Sequence, residues 1–379
     1  MISSGSEGAA VAPRRYRAPG RVNLMGEHTD YNDGFVLPAA IAYATCVTAT
    51  PRRDRRVTVV SHNFQGAHTF DLDALDAGVK QVWSDHVRGM LIELQRDGAR
   101  LGGVDLEIES DVPIGAGLSS SASVSVAVGF SVLDMAGLAV DRVALAQAAQ
   151  RAEREHVGAN VGIMDQFISA NAREGSALLL DTRSLTCDNV PLPAEAAFVV
   201  CNTMVAHDHA TGGYNMRRAQ CEVGVAALRT RYPHVVALRD VSLAELEGMR
   251  DGISDVVFRR CRHVITENAR TRNAARELGA GDLTSFGHAM EASHASMRDD
   301  FEISVPAVDT MVELARAFGP SVYGARMTGG GFGGSTVNLV SNDAVDAFVG
   351  YIGPAYRAAT GTQPAIYRGL GAAGVGRLA

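Results

Sequence analysis

Pro113-Ile114-Gly115-Ala116-Gly117-Leu118-Ser119-Ser120-Ser121-Ala122-Ser123 joins two segments of different period. Before it, Val104, Leu106 and Ile108 alternate with Asp105, Glu107 and Glu109, the pattern of a half-buried strand. After it, Val124, Ala127, Val128 and Ser131 recur at helical spacing, so the serines stand at a helix start, where serine caps well. A strand, a glycine-rich loop and a helix N-terminus aim free backbone N–H groups and the positive end of the helix dipole at one point. That point suits a polyphosphate. The loop is not a Walker A motif, since no lysine follows Gly117, and Ser120 stands where G-x-G-x-x-G needs its last glycine. Taken alone, it also fits an ordinary capped helix behind a glycine turn.

The bulk properties narrow the field. A chain of 379 residues is long for one core and comfortable for two domains. Its formal net charge of -7 gives no long-range attraction for nucleic acid or anionic membranes. The run Arg52-Arg53-Asp54-Arg55-Arg56 lies between β-branched stretches and reads as a solvated hairpin turn. Five scattered cysteines without a C-x-x-C pair suit reduced thiols and a cytoplasmic protein. The most apolar stretch, 123–140, is shorter than the about 20 residues of a membrane span and carries Asp134, so it reads as a buried helix. Residues 1–13 read as a disordered lead-in rather than a signal peptide.

Further along, Gly20-Arg21-Val22-Asn23-Leu24-Met25-Gly26-Glu27-His28-Thr29-Asp30-Tyr31 packs hydrogen-bonding groups among glycines ahead of an apolar strand over 36–41. Polar density of that kind marks a binding loop more often than a turn. Residues 81–95 place Val82, Val87, Met90, Leu91 and Leu94 at helical spacing and hold the single tryptophan, Trp83. Residues 145–156 read as an Ala- and Gln-rich helix, followed by Gly162-Ile163-Met164-Asp165-Gln166. Asp165 there is either a helix cap or a positioned acid or base. His207-Asp208-His209 has H-x-H spacing but no further ligands in order for a metal. Residues 223–279 read as structural helix. Finally, residues 329–334 hold five glycines in six positions, which only close backbone approach or unusual φ would justify.

Four of these stretches resemble the GHMP small-molecule kinases. Residues 20–41 resemble the galactokinase signature G-R-x-N-x-I-G-E-H-x-D-Y, with Met25 for the usual Ile. The serine loop resembles the superfamily's G-L-S-S-S-A-S, and the glycine run resembles its third motif, with Ser335 where many members have Cys. Residues 152–166 resemble a further galactokinase run, with Val161 in place of its common Cys.

The resemblance implies an α+β, two-domain GHMP kinase fold. An N-terminal domain, 14–196, carries a left-handed β-α-β unit, and a C-terminal domain, 197–379, is ferredoxin-like. The implied reaction is phosphorylation of the anomeric hydroxyl of α-D-galactose by ATP with Mg²⁺. Asp165 and Arg21 are the implied catalytic pair, with Arg21 holding Asp165 ionised. Glu27, His28, Asp30, Gly162 and Tyr214 would read the sugar. Gly115, Gly117, Leu118, Ser119, Ser120, Ser121 and Trp83 would hold the nucleotide, and Ser121 and Glu153 the magnesium. The partners are then a small sugar and ATP, with no nucleic acid or membrane, for a monomer or weak oligomer. The rivals are a GHMP kinase for another sugar, such as N-acetylgalactosamine or arabinose, and a sugar and ATP sensor without turnover. A substrate panel separates the first, and the intact set Asp165, Arg21, Ser121 and Glu153 argues against the second.

Overall fold

Alternating and β-branched segments build the first half of the chain into one large sheet. The structure, a computed structural model, describes residues 12–76, 78–205 and 210–379, the side chains of residues 210 and 211 excepted. The sheet contains β1 (Arg14–Asn23), β2 (Phe35–Val36), β3 (Pro38–Pro51), β4 (Arg56–Ser61), β5 (Ala67–Asp71), β6 (Val104–Ser110), β7 (Ser176–Asp181) and β8 (Thr186–Pro191). Helices α1 (Asp85–Arg96), α2 (Ser120–Met135), α3 (Arg142–Ala152) and α4 (Met164–Asn171) complete this half. Along the main path the order is β1-β3-β6-β4-β5, and only β4 and β6 run parallel among the described strands.

Helix α2 is the centre of the packing. It is apolar on nearly every side, as a helix enclosed by other elements must be, and Val126, Ala127 and Val128 are fully buried among Val47, Ala49 and Leu91. Each such Val or Leu contributes about 1.5–3 kcal/mol by leaving water. The helix stops at Met135, earlier than the apolar run suggests. Gly137 takes φ +70°, and the N–H groups of Gly137 and Leu138 turn back to the carbonyls of Asp134 and Leu133, each at 3.0 Å.

Two other boundaries differ from the periodicity for equally local reasons. Helix α1 begins at Asp85, not near Gln81, because the Asp85 carboxylate accepts from the Lys80 N–H at 2.9 Å and Gln81 is left-handed. Val82 therefore precedes the helix and is 42% exposed. Helix α3 ends at Ala152, and a π-helical turn over Glu153–Val157 replaces its expected last turn, closed by Gly158 at φ +88°.

The second half holds β9 (Ala196–Asn202), α5 (Ala210–Arg231), α6 (Leu243–Glu247), α7 (Asp255–Gly279), α8 (Leu283–Asp299), α9 (Pro306–Ala317), β10 (Val322–Thr328), β11 (Ser335–Ser341), α10 (Val345–Thr360) and β12 (Ala365–Tyr367). Its antiparallel sheet runs β10-β11-β9-β12. Helices join its first strand to its second and its third to its fourth, the β-α-β-β-α-β order of a ferredoxin-like unit with extra helices. From Gly369 onward the chain returns to the first sheet. The Ala42 N–H donates to the Gly369 C=O at 2.7 Å, and β13 (Gly376–Arg377) pairs with β1.

Candidate active site

The serine loop uses its hydroxyls differently from the capping expected of it. Ser119 is the N-cap of α2 but is left-handed, at φ +61°, and makes no side-chain cap. Its Oγ donates instead to Asp165 Oδ2 at 2.5 Å. The first turn of α2 thus keeps its N–H groups free of a side-chain cap, at the end of the helix that attracts anions. Arg21 fixes the loop from β1, its N–H bonded to the Leu118 C=O at 3.1 Å and its Nη1 to the Gly117 C=O at 2.6 Å.

The same guanidinium donates through Nε and Nη2 to the two oxygens of Asp165, each at 2.7 Å. Asp165 lies in the first turn of α4. Glu153, in the π-helical turn, accepts from Ser121 Oγ at 2.8 Å through one oxygen and from Gln166 Nε2 at 2.7 Å through the other. Arg21, Asp165, Ser121 and Glu153 line a cavity of about 330 Å³ together with Gly115, Gly117, Leu118, Ser119 and Ser120.

A second cavity, of about 190 Å³, shares Arg21, Asp165 and Tyr214 with the first and adds Glu27, His28, Asp30 and Gly162. Glycine is required at 162, since a Cβ there would stand 1.8 Å from Asp30 Oδ2. The His28 ring packs 4.9 Å from both Tyr214 and Phe301, centroid to centroid. Its Nε2 donates to the Gly330 C=O at 3.1 Å and its Nδ1 accepts from the Tyr31 hydroxyl at 2.7 Å, the tautomer these partners select. Burial pulls the His28 imidazole down to about 3, so it is neutral at pH 7. Burial, helped by the like charge of Asp165, pushes the Asp30 carboxyl up to about 6.

Trp83 lies in the wall of a third, mostly apolar cavity of about 370 Å³, which meets the first at Ser120 and Ser121. Its ring stacks on Phe64 at 6.0 Å and 9°, and also packs against the first half's core. Every residue singled out in the sequence for sugar, nucleotide or metal therefore lines one of three adjoining cavities. His207-Asp208-His209 lies outside the described residues. Among those described, the one group of three metal-type side chains is Glu93, Glu155 and His156, and there Arg96 and Arg151 already pair with Glu93.

Sequence reasoning did not single out three buried residues behind the loop that carries Glu27, His28 and Asp30. Arg326, on β10, pairs with Glu27. Glu267, on α7 and taken as merely structural, accepts from the Gly26 N–H at 3.0 Å. His263 meets the Glu27 C=O at 3.2 Å. A charged residue at a buried helical position, such as Glu267 between Ile265 and Thr271, was the signal available for it.

Comparison with known families accords with this geometry. Residues 85–173 match the GHMP kinases N terminal domain, residues 274–355 the GHMP kinases C terminal domain, and residues 7–51 the galactokinase galactose-binding signature. A galactokinase of Roseiflexus sp. (strain RS-1) is 45% identical over 362 residues, 96% of this chain and 92% of that protein. The chain belongs to the galactokinase family. A second galactokinase, from Chloroflexus aurantiacus, is 48% identical over 92% of this chain and 89% of its own length. Lactococcus lactis galactokinase, solved in complex with galactose, superposes with a TM-score of 0.93 at 36% identity, covering 98% of this chain and 97% of that one. A mevalonate kinase at 16% identity and TM-score 0.63, covering 94% of this chain and 99% of its own, shares the fold.

Proposed function

We propose that the protein transfers the γ-phosphoryl group of ATP to the anomeric hydroxyl of α-D-galactose, giving galactose 1-phosphate. The observation that carries this reading is the Arg21–Asp165 pair, which lies where the phosphate-loop cavity meets the smaller cavity lined by Glu27, His28 and Asp30. Galactokinase relatives along most of the chain support the sugar and the reaction.

Phosphoryl transfer asks for positioning and charge neutralisation more than for covalent chemistry. Asp165, oriented by Arg21 and Ser119, accepts the proton of the sugar hydroxyl as that oxygen attacks. Arg21 steadies the charge on the transferring group. Glu27, His28, Asp30, Gly162 and Tyr214 orient the sugar, and the loop from Gly115 to Ser121 cradles the triphosphate, with Trp83 beside the base. Ser121 and Glu153 present a hydroxyl and a carboxylate 2.8 Å apart, hard oxygen donors that fit magnesium. Bound there, magnesium would neutralise charge on the β- and γ-phosphates.

The proposed division into units 14–196 and 197–379 lies beside the point where the chain passes from β8, ending at Pro191, to β9, beginning at Ala196. Every proposed site residue comes from one chain, so the reaction as proposed needs no second copy at the site, and a monomer or weak oligomer is the proposed state. Among the described residues no helix is long and apolar enough to cross a membrane, and free cysteines support a cytoplasmic setting. A coupled ADP-release assay across a panel of hexoses tests the reading. Galactose-dependent ADP release is expected, and turnover confined to another sugar, or absent, would overturn it.

A further inference from the structure

A guanidinium with no exposure is stable only where its charge is met, and Arg326, on β10, has none. It donates to the Glu27 carboxylate and, at 2.5 Å, to the Leu24 C=O. Both acceptors belong to the segment leading from β1 into His28 and Asp30. Glu27 Oε1 also accepts from the Gly329 N–H at 3.2 Å, and the Gly330 C=O accepts from His28 Nε2 at 3.1 Å. Gly329, at φ +88°, lies against the phosphate loop, where a Cβ would stand 3.3 Å from the Gly117 carbonyl oxygen. At the far end of the same glycine-rich loop, Ser335 Oγ donates to the Ala116 C=O at 2.7 Å. The loop is therefore fastened to the sugar-facing segment on one side and to the phosphate loop on the other.

Resting on the galactose reading above, we infer that Arg326 is a positioning residue that fixes Glu27, and through it the gap between sugar segment and glycine-rich loop, so that sugar and nucleotide favour each other's binding. Glu27 can serve as a fixed acceptor at 1% exposure only while a cation meets its charge. Glu267 braces the same segment from behind, bonded to Gly26 and Ser293 and paired with Arg270. Two buried carboxylates thus face two guanidinium groups, and removing Arg326 unbalances the set. By linkage, whatever tightens the loop for the nucleotide tightens it equally for the sugar.

The test is calorimetric titration of galactose into the full chain, with and without a non-hydrolysable ATP analogue and magnesium, for wild type, Arg326→Met and Arg326→Lys. Wild type is expected to bind galactose several-fold tighter with the analogue present. Arg326→Met should lose that difference and raise the galactose Kd by about tenfold or more, while its Kd for the analogue alone stays within about twofold. Arg326→Lys, which keeps the charge but not the fork, should fall between them. Absence of the difference in wild type, unchanged galactose affinity in Arg326→Met, or equal losses for both ligands would each overturn the inference. Should the Met variant not bind the analogue at all, the Lys variant decides: wild-type galactose affinity with the difference retained overturns the inference too. A wild type that ignores galactose overturns the galactose reading instead.

Discussion

The Arg21 guanidinium meets the Asp165 carboxylate side by side, with two hydrogen bonds of 2.7 Å, while its remaining nitrogen is held by the Gly117 C=O. One side chain thus ties the proposed base to the proposed phosphate cradle. Asp165→Asn removes the charge and basicity but keeps the shape. Turnover should fall by about 10²–10⁴, the usual worth of a general base, with galactose affinity changed only modestly. Steady-state kinetics beside calorimetry check this, and wild-type turnover in the Asn variant would sink the assignment.

Arg21→Lys keeps the charge and should still fail. A lysine ammonium can reach either Asp165 or the Gly117 C=O but cannot present a planar fork to both. The loss in kcat should be on the order of 10² or more, as for other electrostatic clamps on transferring groups. Activity within a few fold of wild type would make Arg21 a structural residue.

Glu153→Gln should raise the magnesium concentration needed for half activity, because an anionic ligand to a hard cation becomes neutral. The bond from Ser121 can survive, since an amide oxygen also accepts. A magnesium titration is the measurement. An unchanged curve would remove Glu153 from the metal, and Glu155 is a poor substitute because Arg96 already holds it at 2.7 Å.

Trp83 is the only tryptophan, so intrinsic emission reports on one cavity wall. ATP or ADP should change that emission in a saturable way. Trp83→Leu should raise the KM for ATP more than that for galactose, since stacking on a base is worth about 1–3 kcal/mol. Nucleotide-insensitive emission, with lost stability and no preference between substrates, would make the ring a core residue only.

Asp30 should show a trade of stability for binding. Its carboxyl, raised from 3.8 to about 6 by burial and by Asp165, holds a proton in the folded state that the unfolded chain has already released. Its contribution therefore makes stability fall as pH rises from about 4 to about 6. Asp30→Asn should remove that slope and stabilise the fold at pH 7 by on the order of 1–3 kcal/mol. It should weaken galactose binding about 10- to 100-fold, the worth of a hydrogen bond to a charged group. Thermal unfolding against pH, with galactose titration, reads both effects; lower stability in the Asn variant at pH 7 would contradict the account.

The parts of the site legible in the sequence are those whose chemistry is local. Close backbone approach needs glycine, so the loops around Gly117 and Gly329 announce themselves. The same holds for Gly162, pressed against Asp30. Helix ends were less legible because single side chains and turns decide them: the Asp85 carboxylate delays α1, and Gly137 stops α2. Arg326 was hidden for a different reason. Its partner Glu27 lies 299 residues away in sequence, and no periodicity relates a strand of one sheet to a loop leaving another. The serine hydroxyls were read correctly as a helix start and incorrectly as caps, because Asp165, which draws Ser119 away, arrives only in the folded chain.

The pairing of β13 with β1 bears on the order in which the protein is made. During synthesis β1 leaves the ribosome well before β13, the strand that covers its open side. Until then the N-terminal sheet presents an unpaired edge, with Tyr16 and Arg17 awaiting Arg377 and Gly376. The first half can collapse around α2 early, but the open side of β1 stays unpaired until the returning segment that carries β13 has been made.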